Sequence, residues 1–469
     1  MGKSKTPSFI VELPLVTNSE QRHILNSRFE AGRQANNACL GEALKRRGQM
    51  LRSKLYRSAL TMPHKTKEEI EARAKAFKEA RKKYGFTEYS LHDYAGKIRN
   101  SWIGEHIDSL TAQKIATRAY NAVNKTVVGN AGKVRFKHYG ELTSLEGKNN
   151  DSGIRWKNGK VVWNGLELKA IIDINDPVIA HGLSCPVKFV RIVRRIIRSR
   201  VRYYVQLICE GKPYRKEKNK AVKGKTGLDI GPSTVAEVGN AKAGLHLFCR
   251  ELDDIHAEIR VLQRRMDRQR RANNPDNYNP DGTIKKGKKT WRNSKRYLET
   301  RAKFTGLNRR QAAHRKSLHG KLINNILRRG DGIYLEKVSY KAWQKVFGKS
   351  INYRAPGMFV SRLKCKAEAS GGSLNEFPTN NTALSQMCQC GRKEKKKLFD
   401  RWHKYKCGVS AQRDLYSAFL ARHIKKSGEY YLDTGSAVKE WPAIKPLLDA
   451  AVKNARQEYW YKAPSSFGL

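Results

Sequence analysis

Hydrophobic and polar positions fall into distinct textures along this chain. Residues 8–16 (SFIVELPLV) form an apolar run of strand length. Thr17-Asn-Ser-Glu20 then has the form of a capping box, in which a hydroxyl and a carboxylate satisfy the first free N–H groups of a helix. Helical spacing continues to about Lys45, and Thr66 to Glu69 repeats the box at the head of a charged, alanine-rich stretch that stops at Gly85. A third helix is expected over 107–128, so residues 17–128 read as a mostly helical insertion.

From about 130 to 212 the period changes. Short β-rich runs, among them KVRFKHY (133–139) and VKFVRIVRRIIRSRVRYYVQLICEG, alternate with Gly, Asn and Asp turns and predict a small β-barrel or sheet module. Residues 216–225 are a polar basic linker, and TGLDIGPSTVAEVG beyond it reads as a buried strand and a turn. Ile255, Ile259, Leu262 and Met266 recur at helical spacing and are expected to face a core. A turn-rich break separates that helix from a second one ending near Arg329. No internal repeat is present.

Charge narrows the function. The 469 residues hold 95 Lys+Arg against 42 Asp+Glu, a formal net charge of +53. So large an excess is self-repelling unless a polyanion neutralises it, which makes nucleic acid the expected partner. Residues 260–329 alone carry 22 Lys+Arg and 4 Asp+Glu, and the polar backs of their helices are expected to face a nucleic-acid channel. No apolar window reaches the ~20 residues of a membrane span, so no membrane partner is expected. The N-terminal run, broken by Glu12 and Pro14, does not read as a signal peptide. From Gly428 onward five acidic residues balance five basic ones, which suggests a neutral tail outside the basic body.

Three acids carry the candidate chemistry. Asp229 lies in an apolar strand just before a Gly-Pro turn, Glu336 ends the apolar run GIYLE, and Asp414 opens a helix in QRDLYSAFLA. A lone buried acid has many structural uses; three at element ends, flanked by hydrophobes, are harder to dismiss. Carboxylates held together repel unless cations neutralise them, and hard oxygen ligands suit Mg²⁺ or Mn²⁺. Two such ions, ~3.5–4 Å apart, activate a water and stabilise the leaving oxygen of a phosphodiester.

The order GLDIG, IYLEKV, QRDLYSAFLA, with a cysteine knuckle just before the third, resembles the split RuvC-like nucleases of the TnpB family of insertion-sequence proteins, relatives of the type V CRISPR effectors. The opening strand and helix, GKVRFKHY (132–139) and the twin basic helices agree, so the resemblance spans about 8 to 425. It implies an α/β multidomain fold. An RNase H-like RuvC domain carrying a zinc-ribbon-like insert would accompany a β-barrel wedge domain and an α-helical recognition lobe. On this chain the parts fall at 1–16 (first wedge strand), 17–128 (recognition lobe), 129–220 (wedge barrel), 221–365 and 411–427 (nuclease), 366–410 (insert binding the target strand) and 428–469 (tail).

The resemblance further implies an RNA-guided DNA endonuclease. Its guide would be transcribed beside its own gene, and it would open duplex DNA next to a short flanking motif and cut it with one metal site held by Asp229, Glu336 and Asp414. Its setting would be the prokaryotic cytoplasm, at the nucleoid when bound to DNA. The alternatives are a compact type V CRISPR effector, a guided binder that no longer cuts, and a DNA-joining transposition protein.

Five of the eight cysteines are scattered and read as small core hydrophobes, whereas Cys388, Cys390 and Cys407 cluster. Where a four-cysteine knuckle would have its fourth thiol this chain has Tyr405, with His403 two residues earlier. Zinc accepts imidazole as well as thiolate, so Cys388, Cys390, His403 and Cys407 are the expected Zn²⁺ ligands, with Cys365 in reserve. Six arginines interleave with Ile and Val between 191 and 202. Of these Arg191, Arg194, Arg195, Arg198 and Arg200 are expected to bind phosphates from a hairpin, together with Arg362, Lys364 and Arg413.

Overall fold

The computed structural model describes residues 6–198, 200–397, 399–460, 463 and 467–468. The chain divides into two units, Met1–Tyr214 and Arg215–Leu469, a few residues before the boundary expected at 220. The expectations that touch residues 1–5 and the last residues of the tail lie outside the described residues there.

The first unit runs β1 (Ser8–Pro14), α1 (Ser19–Arg52), α2 (Lys54–Thr61), α3 (Lys67–Lys83), α4 (Glu88–Arg99), α5 (Ile103–His106) and α6 (Ser109–Val127). It continues through β2 (Ser144–Glu146), β3 (Arg155–Lys157), β4 (Lys160–Trp163), β5 (Leu166–Lys169), α7 (Pro177–Ser184), β6 (Val187–Ile197) and β7 (Arg200–Glu210). Thr66 and Glu69 cap α3 as the pattern predicts. The box of α1 lies one residue beyond the expected one, on Asn18 and Gln21, and α1 runs past Lys45 to Arg52.

The strands make two open sheets, ordered β1-β7-β6-β2 and β3-β4-β5, and not the barrel expected for residues 129–220. The long antiparallel β6–β7 hairpin is flanked by β1 and by the short β2, which do not pair with each other among the described residues. A bridge at Leu15↔Ala170 ties the end of β1 to the end of β5. KVRFKHY is not a strand. Its backbone at Lys137 is held by α1 side chains: Asn37 Nδ2 and Arg33 Nη1 donate to the carbonyl, and the Lys137 N–H donates to Asn37 Oδ1. Side-chain amides thus replace a ladder as the partners that backbone groups require.

The second unit opens with β8 (Lys225–Ile230), β9 (Thr234–Val238), β10 (Ala243–Leu247), α8 (His256–Ala272) and α9 (Lys295–Leu327). Then come β11 (Gly332–Lys337), α10 (Tyr340–Arg354), α11 (Pro356–Ala369), β12 (Ser373–Pro378) and α12 (Thr379–Thr382). It closes with β13 (Trp402–Lys404), β14 (Ser410–Gln412), α13 (Arg413–Ala421), β15 (Ile424–Ser427), β16 (Glu429–Leu432) and α14 (Thr434–Glu458). The main sheet has the order β10-β9-β8-β11-β12, antiparallel on one side of β8 and parallel on the other.

Three expectations are corrected here. β12 pairs with β11 in the main sheet, so residues 366–378 belong to the sheet domain and not to the insert. The 428–469 segment is no appended tail: Ile444, Leu448 and Val452 of α14 share a core with Leu415, Phe419 and Leu420 of α13. The stripe Ile255–Met266 does not enter a core either, because no residue of α8 is buried; the helix lies along α9 as one half of a helical pair. Among the described residues no helix is long and apolar enough to cross a membrane.

Candidate functional site

Asp229 stands one residue before the end of β8, and Glu336 one before the end of the parallel neighbour β11. The register Leu335↔Leu228 makes the two acids successors on adjoining strands. Asp414 comes from the first turn of α13, whose N-cap is the Gln412 side chain, accepting the Leu415 N–H at 2.8 Å. That helix lies so close to β8 that a Cβ on Gly227 would stand 1.8 Å from the Ala418 carbonyl oxygen. Glycine two positions before Asp229 is therefore what lets α13 bring its acid to the sheet.

The three carboxylates line one cavity of about 670 Å³, together with Lys396, Arg401 and Arg413. Burial is the first reason that all three stay protonated above the usual carboxylate range. For Asp229 the neighbouring Asp414 and Glu336 add to it. Opposing terms hold the other two nearer the ordinary range. Arg413 lies 3.3 Å from Asp414, and Glu336 accepts the Leu384 N–H at 3.1 Å. Arg413 also donates to the Asp400 carbonyl, which fixes its guanidinium at the cavity wall.

Such a donor set fits hard divalent ions. Three carboxylates gathered in one cavity, Asp414 buried and Asp229 and Glu336 half-buried, are relieved of their mutual repulsion by Mg²⁺ or Mn²⁺, which oxygen ligands and water suit. The spacing is open: among the described residues only the cysteine group places three ligand atoms within 4.8 Å of one another. Sequence reasoning missed Lys396 and Arg401, as well as Trp343 and Phe347 of α10 on the same wall. All four lie in segments whose pattern carries no period pointing at the acids.

Cys388, Cys390 and Cys407 do come together, with the Cys388 and Cys407 sulfurs 3.4 Å apart. The edge of a tetrahedron built on Zn–S bonds of ~2.3 Å is about 3.8 Å, so three corners of a zinc site fit. His403 does not join them. Its Nδ1 accepts from Lys396 Nζ at 2.7 Å, its ring stacks on Tyr405 at 10° and 5.4 Å, and its Nε2 has no hydrogen-bond partner among the described residues. Burial first, then Lys396 and Arg413, drive its pKa down to about 3. Tyr405 is tied to the Gln386 carbonyl by its hydroxyl and carries Lys396 over its ring. Cys365 is exposed on α11, apart from the group.

The hairpin arginines are mostly internal ties. Arg191 pairs with Glu146 at 2.5 Å, and Arg195 holds both oxygens of Glu12 at 2.6 Å. Arg194 donates to the Gly140 and Leu142 carbonyls and covers the Phe29 ring. Arg198 sits in the left-handed region at φ 50°, at the end of β6. Arg200 lines a cavity of about 710 Å³ with Arg22, His23 and Arg202. Arg362 donates to the Lys316 carbonyl, and Lys364 is exposed on α11. The reading of Arg191, Arg194 and Arg195 as free phosphate ligands is thus corrected: acids and carbonyls of the same unit already engage them.

No protein-family model and no curated protein matches the chain. Among solved structures it is similar to a Cas12f1 chain seen by cryo-EM with sgRNA and target DNA. The two share 12% identity at a TM-score of 0.44, over 88% of this chain and 98% of that one. It is also similar to a chain of a CRISPR-Cas12f ternary complex, at 10% identity and a TM-score of 0.25 over the same shares. At these values neither similarity carries the assignment that follows.

Proposed function

We propose that the chain is a metal-dependent endonuclease that hydrolyses DNA phosphodiesters, of the RNA-guided TnpB type. One observation carries the reading: Asp229, Glu336 and Asp414, from segments far apart in sequence, line a single cavity with Lys396, Arg401 and Arg413. The acids would hold Mg²⁺ or Mn²⁺, which when bound supplies activation of water and charge stabilisation at the leaving oxygen. The protein's own cations would draw the scissile phosphate in and orient it, and the net charge of +53 would hold the rest of the strand. The guide RNA, the duplex target and its flanking motif follow from the motif resemblance. Three thiols fit a structural Zn²⁺ on the loop preceding Asp414, where a cross-linked hairpin would steady the third acid.

The test is to express the chain with its native flanking DNA and sequence the RNA that copurifies. A duplex matching the end of that RNA is then offered with Mg²⁺, with Mn²⁺ or with EDTA. A defined RNA and Mg²⁺-dependent cuts in the matched duplex support the proposal. No cleavage with either metal, by a protein carrying its RNA, overturns it.

A further inference from the structure

A second cavity of the second unit, about 400 Å³, lies where β8 and β11 begin, whereas Asp229 and Glu336 stand where those strands end. Lys223 precedes Asp229 by six residues, which at ~3.3 Å each separates the two places by roughly 20 Å. Three stretches build the wall: Lys223 ahead of β8, Asn240 and Lys242 in the β9–β10 turn, and Asn325, Arg328 and Arg329 at the end of α9. No acid is among the lining residues described.

The turn and the helix end are fitted closely. A Cβ on Gly239 would stand 2.8 Å from the Arg329 Cβ, so only glycine admits this approach. Glu237, fully buried on β9, accepts Arg329 Nη2 at 2.8 Å and neutralises that one cation. Compensation of the helix end accounts for Arg328, whose Nε reaches the Asn324 carbonyl at 3.3 Å. It does not account for Lys223 and Lys242, which come from other segments and make no hydrogen bond or ion pair among the described residues.

The amides decide the sign of the ligand. Asn240 Oδ1 accepts from Arg422 Nη2 at 2.7 Å, and Asn325 Oδ1 accepts from Arg328 Nη2 at 2.6 Å. With both oxygens engaged, each amide has its NH₂ left to offer. The charged groups that remain for a ligand are then all cations, Lys223, Lys242 and Arg328, none of them paired with an acid among the described residues. A cation finds no carboxylate among the lining residues described.

We propose that this pocket is a phosphate-binding site that holds the backbone of a nucleic-acid strand, at the end of the sheet remote from the carboxylates. It extends the nucleic-acid reading above and rests on it for the source of the phosphate. A strand anchored here as well as at the carboxylates would have two fixed points on one unit, which sets its path across the sheet.

The experiment is binding of a labelled single-stranded DNA, long enough to reach beyond the carboxylate cavity, to the full chain in EDTA. No hydrolysis occurs there, so the outcome stands apart from metal-dependent cleavage. Lys223→Gln/Lys242→Gln should lower the slope of log K against log salt by about 1.4, at ~0.7 per lost contact. Lys223→Glu/Lys242→Glu should weaken binding further, and both exposed pairs should melt as the parent does. Unchanged affinity and slope in both variants overturn the proposal. Pyrophosphate is the second probe. If it raises the melting temperature of the parent but not of the variants, and DNA affinity is unchanged, the site takes free polyphosphate and the strand assignment is overturned.

Discussion

The two units treat gathered charge in opposite ways. In the first, Arg191 and Arg195 lie four residues apart on β6 and each is matched by an acid, Glu146 or Glu12, in bidentate or near-bidentate geometry. In the second, Asp229, Glu336 and Asp414 share a cavity, and the two acids act on Asp229 more strongly than Arg413 does. Matched charge in a sheet fixes register and costs little once paired. Like charge left unrelieved in a cavity is held there by the rest of the fold, and it is the arrangement that a divalent cation and a phosphate would complete. A dense run of arginines therefore says little about how many stay available to a ligand, because acids of the same unit can engage them.

The largest effect that would break this contrast is on cleavage. Asp229→Ala and Asp414→Ala should each abolish Mg²⁺-dependent cutting while nucleic-acid affinity, measured in EDTA, stays near the parent value. A variant that still cuts at the parent rate removes the carboxylates from the chemistry. Next comes the knuckle, where thiols and imidazole were expected to act alike and the structure separates them. Cys388→Ser or Cys407→Ser should lose the bound zinc measured by elemental analysis, and His403→Ala should retain it. Loss of zinc from the His403 variant alone would restore the imidazole to the ligand set.

Much of the second unit was legible because its acids end apolar strands, where alternation and turn residues mark the element boundary. Asp229 before Gly231-Pro232 and Glu336 at the end of GIYLE needed no tertiary information. Closure of a sheet is different: whether β1 and β2 meet across β6 and β7 depends on partners distant in sequence, and the strand pattern is the same for an open sheet and a barrel. The tail misled for a related reason. Its balanced charge says nothing of burial, and Ile444, Leu448 and Val452 could be placed only once α13 offered a face to cover. His403 was misplaced because spacing puts it near the thiols in sequence, while its ring is held by Tyr405 and Lys396.

A smaller effect separates tied arginines from free ones. Arg191→Ala leaves Glu146, which is largely buried, with Lys114 as its one remaining ion-pair partner among the described residues and should destabilise the chain by about 1–3 kcal/mol in denaturant melts. Arg200→Ala removes a cation from an open cavity and should stay within about 0.5 kcal/mol, while lowering the salt slope of nucleic-acid binding. Equal losses for the two would mean that the hairpin does not distinguish structural from surface arginines.

The finest test uses the sign of the response to pH in metal-free protein. Burial raises the pKa of Glu146, but Arg191 and Lys114 outweigh it, so the folded value lies below the ordinary one. Between its folded and unfolded pKa the native state therefore binds fewer protons, and Glu146 contributes stability that is fully present above the unfolded value and lost as pH falls through the folded one. Asp229 has the reverse balance, with burial and then Asp414 and Glu336 raising it. Its contribution is fully present below the unfolded pKa and is lost as pH rises through the folded one. In EDTA, Asp229→Asn should therefore gain stability relative to the parent as pH rises from the carboxylate range, and Glu146→Gln should lose it. Saturating Mg²⁺ should erase the first difference and leave the second, because only the cavity acids have a charge that the ion relieves. Two variants that respond to pH with the same sign, or a Glu146 difference that Mg²⁺ removes, would end the distinction between matched and unmatched charge.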